Sequence, residues 1–455
     1  MRFSEPIGRR GFLRLGAAGL SLTAGLAARA ASVPRGPGFG RAKSCVVFFA
    51  WGGMSHLDTF DLKPGAPIDI RGEFQEIPTT VPGIRIGEHL PRLARQAHRM
   101  AIVRSVTHGA TGHRPAAYWA LTGHAPPTPN ENWEATRRDW PSLGAQVAKA
   151  FNGRVPAPFP GTIHLPYGMA DGGRSNGQDA GFLGLGFDPV VFRPSSGAPY
   201  DGKSPEAGTI ELGARADAGR WTSRRALLSR LEAAAPATPA GRETETVERW
   251  REKSFDLLLD AKAAGAFDLE GEPKRLRESY GDHVCGQSAL LARKLTEAGV
   301  PLVTVLAAAG DLNGSIGAHW DTHGDNFRRL KSQMLPPLDQ ASAALLDDLA
   351  ERGRLDETLV VWLTEFGRTP RISAAAGRDH YPTCYSVAFA GGGIQGGRIY
   401  GRSDASGAEP VENPCGPADL QATIFHALGI DPAFEVHDIE GRPLQICDGR
   451  PLPLF

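Results

Sequence analysis

The chain has 455 residues, 41% hydrophobic and 22% charged, with 50 basic residues balancing 50 acidic ones. That is a globular composition, long enough for one large α/β domain or several smaller ones. Net neutrality argues against a nucleic-acid footprint or a polybasic membrane anchor. Five scattered cysteines without a C-x-x-C pair argue against a zinc ribbon or a dense disulfide framework.

The first residues read as an export signal. Arg9-Arg10-Gly-Phe-Leu-Arg14 is a twin-arginine motif, followed by the apolar run Leu15–Ala28 and the small-residue site Ala28-Arg29-Ala30. The run is short and diluted by glycine, so it predicts a removable signal over 1–30 and no stable membrane span in the mature chain. The export machinery is then one partner, and the mature protein is expected in the periplasm or outside the cell. Residues 31–42, rich in Pro and Gly, predict a linker ahead of a domain covering 43–455.

Val46–Trp51 is an unbroken apolar run of β-branched and aromatic residues, the pattern of a strand buried on both faces. Gly52-Gly53 ends it, and His56, Asp58 and Asp61 follow. Pro64–Gly87 predicts irregular β structure, Leu90–Arg99 a short helix, and Met100–Arg104 a second buried strand. The polar loop Ser105–Arg114 leads into a helix over Pro115–Leu121, closed by Thr122-Gly123. Ser142 caps another helix, and Phe159–Leu165 predicts a strand. Residues 166–219, Gly/Asp/Pro-rich and aperiodic, form a loop-rich insertion. Helices are expected over Arg220–Ala234, Glu243–Ala264, Pro273–Gly299 (bent near Gly281), Asn326–Arg352 and Pro417–Leu428, and strands over Val300–Ala307, Thr358–Leu363 and Tyr385–Ala390. Such alternation means a mostly parallel sheet sandwiched between helices.

Carboxylates and imidazoles recur after the strands. Val300–Ala307 is followed by Asp311 and Asn313, then His319, Asp321, His323 and Asp325. Thr358–Leu363 leads to Glu365 and Arg368, then Asp379 and His380. In open α/β sheets ligands bind beyond the carboxyl ends of strands. There, oxygen and nitrogen donors converging from several strands suit a divalent metal or a metal pair. No G-x-S-x-G elbow or P-loop is present. Gly391–Gly397 reads as a mobile hairpin, not a phosphate cradle, and His89, His98 and His426 as structural.

The order of these parts resembles the alkaline phosphatase and sulfatase superfamily. Pro115–Gly123 is similar to the sulfatase helix ending in Leu-Thr-Gly, and Leu363–Gly367 to its Ser-Asp-His-Gly strand end. Gly52–Pro64, Trp320–Gly324, Thr364–Pro370 and Gly377–Pro382 more closely resemble the domain-of-unknown-function 1501 family. That resemblance implies an alkaline-phosphatase-like fold and an exported, metal-dependent hydrolase of phosphate or sulfate esters, acting on a small-molecule or polysaccharide substrate. It implies a divalent cation (zinc, calcium or manganese) held by Asp58, Asp321, His323, Glu365 and His380, with His56, His113 and Asp379 nearby. Arg114 or Arg368 would neutralise the anionic group.

The departures bear on mechanism. The sulfatase nucleophile position falls at His113, no C-x-P-S-R is present, and Thr111 is a hydroxyl two residues away. Glu365-Phe366 replaces an Asp-His pair, removing one imidazole. The alternative expectation is therefore a non-catalytic binding protein of the cell envelope on the same scaffold.

Overall fold

A computed structural model describes residues 36–191, 218–234, 251, 255–256, 260–308, 312 and 319–455. The export signal lies outside these, as do Asp311, Asn313 and most of the predicted Glu243–Ala264 helix.

In chain order the first twelve strands begin with β1 (Ser44–Phe49), β2 (Glu76–Pro78), β3 (Arg85–Gly87), β4 (Met100–Val106), β5 (Thr162–Leu165) and β6 (Val190–Val191). They continue as β7 (Leu302–Leu306), β8 (Thr358–Leu363), β9 (Gly367–Arg368), β10 (His380–Tyr381), β11 (Tyr385–Gly391) and β12 (Arg398–Tyr400). Eight form one sheet in the order β12-β4-β11-β8-β1-β7-β5-β6. The pairings of β1 with β7 and β8, of β5 with β6 and β7, and of β12 with β4 are parallel. β11 alone runs the other way, antiparallel to both β4 and β8. The mostly parallel sheet expected from the alternating pattern is thus present.

β1 sits at the centre, and its alternation feeds two cores. Val46 and Phe48 pack on one face with Leu290, Leu345 and Trp362. Cys45, Val47, Phe49 and Trp51 pack on the other with Leu121, Val147 and Phe425. The first face is covered by the Val284–Glu297 and Leu335–Glu351 helices, the second by the His113–Thr122, Leu143–Ala150 and Pro417–Leu428 helices. Burial on both faces is why the strand carries no polar alternation. Each fully buried Phe there contributes on the order of 1.5–3 kcal/mol.

Local chemistry explains the helix ends. The Ser142 Oγ accepts from the Ala145 N–H at 3.2 Å, capping the next helix as expected. The predicted Asn326–Arg352 helix is interrupted: Asn326–Arg329 is α, Leu330–Met334 is π, and α geometry resumes at Leu335. Pro336 and Pro337 follow immediately and lack the N–H groups that would continue the regular ladder.

Gly391–Gly397 is not a hairpin. It crosses from β11 to β12, which lies on the far side of β4. A Cβ at Gly396 would meet the His98 carbonyl oxygen at 2.3 Å, so the crossing needs a residue without a side chain. The five cysteines are buried free thiols. Among the described residues, no helix is long and apolar enough to cross a membrane.

Candidate metal centre

The carboxyl edge of the parallel strands gathers the polar loops. Gly52-Gly53 leaves β1, the loop over 107–112 leaves β4, and Glu365 follows β8 by two residues. β11 enters the sheet at this same edge because it runs in reverse, so His380, just ahead of it, lands there too.

Three imidazoles converge on one carboxylate. Asp321 Oδ1 lies 3.4 Å from His113 Nε2, 3.1 Å from His323 Nε2 and 3.2 Å from His380 Nε2. His323 Nε2 and His380 Nε2 are 3.0 Å apart. Donors bonded to zinc at about 2.0–2.1 Å in a tetrahedron stand about 3.3 Å from one another. The measured separations bracket that edge. The donor atoms of His113, Asp321 and His380 all lie within 4.8 Å of one another.

Each ring has its Nδ1 engaged by an acceptor outside the cluster, leaving Nε2 to face Asp321. The Nδ1 of His113 faces Glu365 Oε1 at 2.9 Å, that of His323 faces Asp379 Oδ1 at 2.6 Å, and that of His380 faces the Thr111 carbonyl at 2.8 Å. An ionised carboxylate or a carbonyl only accepts, so each Nδ1 carries the proton. This is the outer-sphere arrangement that orients imidazole ligands on metals. His113 is buried, and its Nε2 is among the buried polar atoms with no hydrogen-bond partner of normal geometry. Trp51 and Phe366 wall its ring, with centroids 5.4 and 5.1 Å away. Asp321 and His380 are partly buried and His323 is half exposed, so the group is open to solvent on one side.

The electrostatics follow from one carboxylate shared among several cations. Burial alone would raise the Asp321 carboxyl. The three neighbouring imidazoles and the Arg368 charge instead hold it well below the usual carboxylate range. Burial would likewise lower His113, but Asp321 and Glu365 push it up to about 9. His380 is lowered, chiefly by burial, and His323 is raised, chiefly by Asp321. Such a donor set, held by protons on the rings, suits a divalent cation that takes their place.

Other expected residues are placed differently. Asp58 is fully buried, and its oxygens accept from Ser55 Oγ (2.6 Å), Asn326 Nδ2 (2.9 Å) and Arg378 Nε and Nη2 (2.9 and 3.2 Å). These bonds tie it into a buried ion pair with Arg378, flanked by Ser55 and Asn326. His56 Nε2 faces the Gly407 carbonyl at 2.8 Å, apart from the cluster. Glu365 and Asp379 stand behind His113 and His323, and Thr111 contributes its carbonyl. Arg368 is fully buried and donates to Asp321 Oδ1 (2.6 Å), to the carbonyls of Gly53 (3.0 Å) and Arg378 (3.1 Å), and to the Gly52 carbonyl. Its donors point inward, so it orients Asp321 and leaves no fork for an anion. The Arg114 guanidinium bonds the Asp171 carbonyl at 2.5 Å. Sequence reasoning missed Arg378 as the partner of Asp58, and the two glycines as the platform for the cluster. The signal was an arginine beside Asp379-His380, read there only as part of a motif.

The fold and this cluster together define an α/β protein with a His/Asp constellation at the carboxyl edge of its central sheet. The chain belongs to the family described as "Protein of unknown function (DUF1501)", whose model matches residues 42–453. Among solved structures it is similar to Ps i-CgsB in complex with k-i-k-neocarrahexaose, at 11% identity over 89% of this chain and 74% of that one, TM-score 0.43. It is similar also to the phosphonate monoester hydrolase SpPMH from Silicibacter pomeroyi (15%, 90% and 76%, TM-score 0.36). A third is the PsFucS1 sulfatase from Pseudoalteromonas sp. (11%, 86% and 68%, TM-score 0.35). Among curated proteins, no sequence matches the chain.

Proposed function

We propose that this protein is an exported, metal-dependent hydrolase of phosphate or sulfate esters. The observation that carries the reading is the convergence of three Nε2 atoms on Asp321 Oδ1 at 3.1–3.4 Å. His113, His380 and Asp321 would hold the cation, with His323 on the open side. A donor set this rich in imidazole suits zinc better than manganese or calcium, which prefer oxygen. When bound, a divalent cation supplies Lewis acidity toward an ester oxygen and toward water.

The chain's own residues define the rest. Glu365, Asp379 and the Thr111 carbonyl fix the ring tautomers, while Arg368 fixes Asp321. Trp51 and Phe366 keep bulk water from His113. The helix beginning at His113 opens beside the cluster, and its N-terminal turn favours negative charge. It already accommodates one anion, since the Arg114 N–H donates to a Glu131 oxygen at 3.1 Å. That supports an anionic ester as substrate. The twin-arginine motif supports activity in the periplasm or outside the cell.

A second reading, a binding protein without turnover, draws on His113 standing where the resemblance puts a nucleophile. A panel of phospho- and sulfo-esters assayed with zinc, manganese or calcium separates the two. Turnover that disappears in Asp321→Asn supports the hydrolase. Saturable ester binding without product, at full metal occupancy, rejects it.

A further inference from the structure

Glu365 stands where the sequence resemblance would place a direct ligand, yet its surroundings give it another task. The residue is fully buried. Its Oε1 accepts from His113 Nδ1 at 2.9 Å and from the Gly52 N–H at 2.7 Å, and its Oε2 lies 3.4 Å from Thr364 Oγ1. It meets the Nδ1 edge of the His113 ring, while the cluster gathers at Nε2. The ring therefore separates the carboxylate from the coordination sphere.

We infer that Glu365 is a positioning residue that holds the cation through His113 and does not bind it. The carboxylate keeps the proton on Nδ1, raises the basicity of Nε2 and fixes the ring's direction. Because the same oxygen accepts the Gly52 N–H, the ring is tied to the turn leaving the central strand. Arg368 anchors Asp321 to that turn from the other side, through the Gly52 and Gly53 carbonyls. Two of the donor groups are thereby referenced to one pair of peptides. The inference rests on the metal-centre reading above, and it concerns affinity and coordination, which are measured apart from turnover.

The test uses the full chain with zinc in competition against a chromophoric chelator, and with cobalt as a spectroscopic reporter. Glu365→Gln keeps a carbonyl oxygen facing Nδ1 and Gly52. It is expected to bind zinc about 10–100-fold more weakly, with unchanged stoichiometry and an unchanged pattern of cobalt bands. Added to His113→Ala, it is expected to cost nothing further, because its path runs through that ring. Glu365→Ala should weaken binding more than Gln does, and should it fail to fold, the Gln variant carries the test. Wild-type affinity in Glu365→Gln, a cobalt spectrum reporting a lost ligand, or a loss additive with His113→Ala would each overturn the inference. A wild type that takes up no cation would overturn the metal-centre reading together with it.

Discussion

Replacing Asp58 with Asn distinguishes a structural carboxylate from a metal ligand. Asp58 and Arg378 are both fully buried, joined at 2.9 and 3.2 Å. Removing one partner of such a pair leaves an uncompensated charge, at a cost of about 3–5 kcal/mol. The low end applies for two reasons. Asn retains one acceptor oxygen for Ser55 and Asn326. Arg378 also keeps the carbonyls of Ile70 (2.8 Å), Thr369 (3.1 Å) and Pro370. A loss of about 3 kcal/mol multiplies the unfolding constant roughly 150-fold, at 1.36 kcal/mol per decade. Urea denaturation followed by tryptophan fluorescence reads that loss as a lower midpoint with an unchanged slope. Metal content per folded molecule should stay at the wild-type value. An Asp58→Asn protein with the wild-type midpoint and no metal would refute this assignment and return Asp58 to the coordination sphere.

Two further outcomes follow from the structure. Gly52 has a φ of +115°, and a Cβ there would lie 2.4 Å from the Asp321 nitrogen and 2.8 Å from the Trp320 carbonyl carbon. Gly52→Ala should cost about 1–3 kcal/mol in backbone strain and displace Asp321, weakening zinc binding by about tenfold or more in chelator competition. Unchanged affinity would show that the turn does not set the ligand's position. His164, on β5, is held down to about 4, first by burial and then by the Arg174 charge. Its folded pKa lies below its unfolded value, so its neutral form stabilises the fold above pH ~6.5. That contribution, about 3 kcal/mol, is lost as pH falls from ~6.5 toward ~4. The difference between wild type and His164→Gln in urea midpoint should shrink over that window, and a flat difference would contradict it.

The frame was legible because burial writes itself into composition. Val46–Trp51 and Thr358–Leu363 are continuous apolar runs, and both are central strands covered on two faces. The direction of β11 was not legible, since an apolar run of seven residues reads the same either way. That reversal is what brings His380 to the cluster. Asp321, His323 and His380 stood out through residue type and position. Which acids bind and which orient was hidden, because Asp58, Glu365 and Asp379 are alike in chemistry and differ only in what faces them. The π turn ahead of Pro336 was foreshadowed by the proline pair, but period-3.6 patterning runs through it unbroken.

The central claim is that His113, His380 and Asp321 meet around one divalent cation. It is tested most directly by elemental analysis of the full chain beside Asp321→Asn and His113→Ala, each shown to be folded by circular dichroism. The account predicts about one tightly held cation per wild-type chain and a deep loss of it in both variants. A wild type that stays empty after exposure to zinc and manganese, or folded variants that retain their metal, would contradict it.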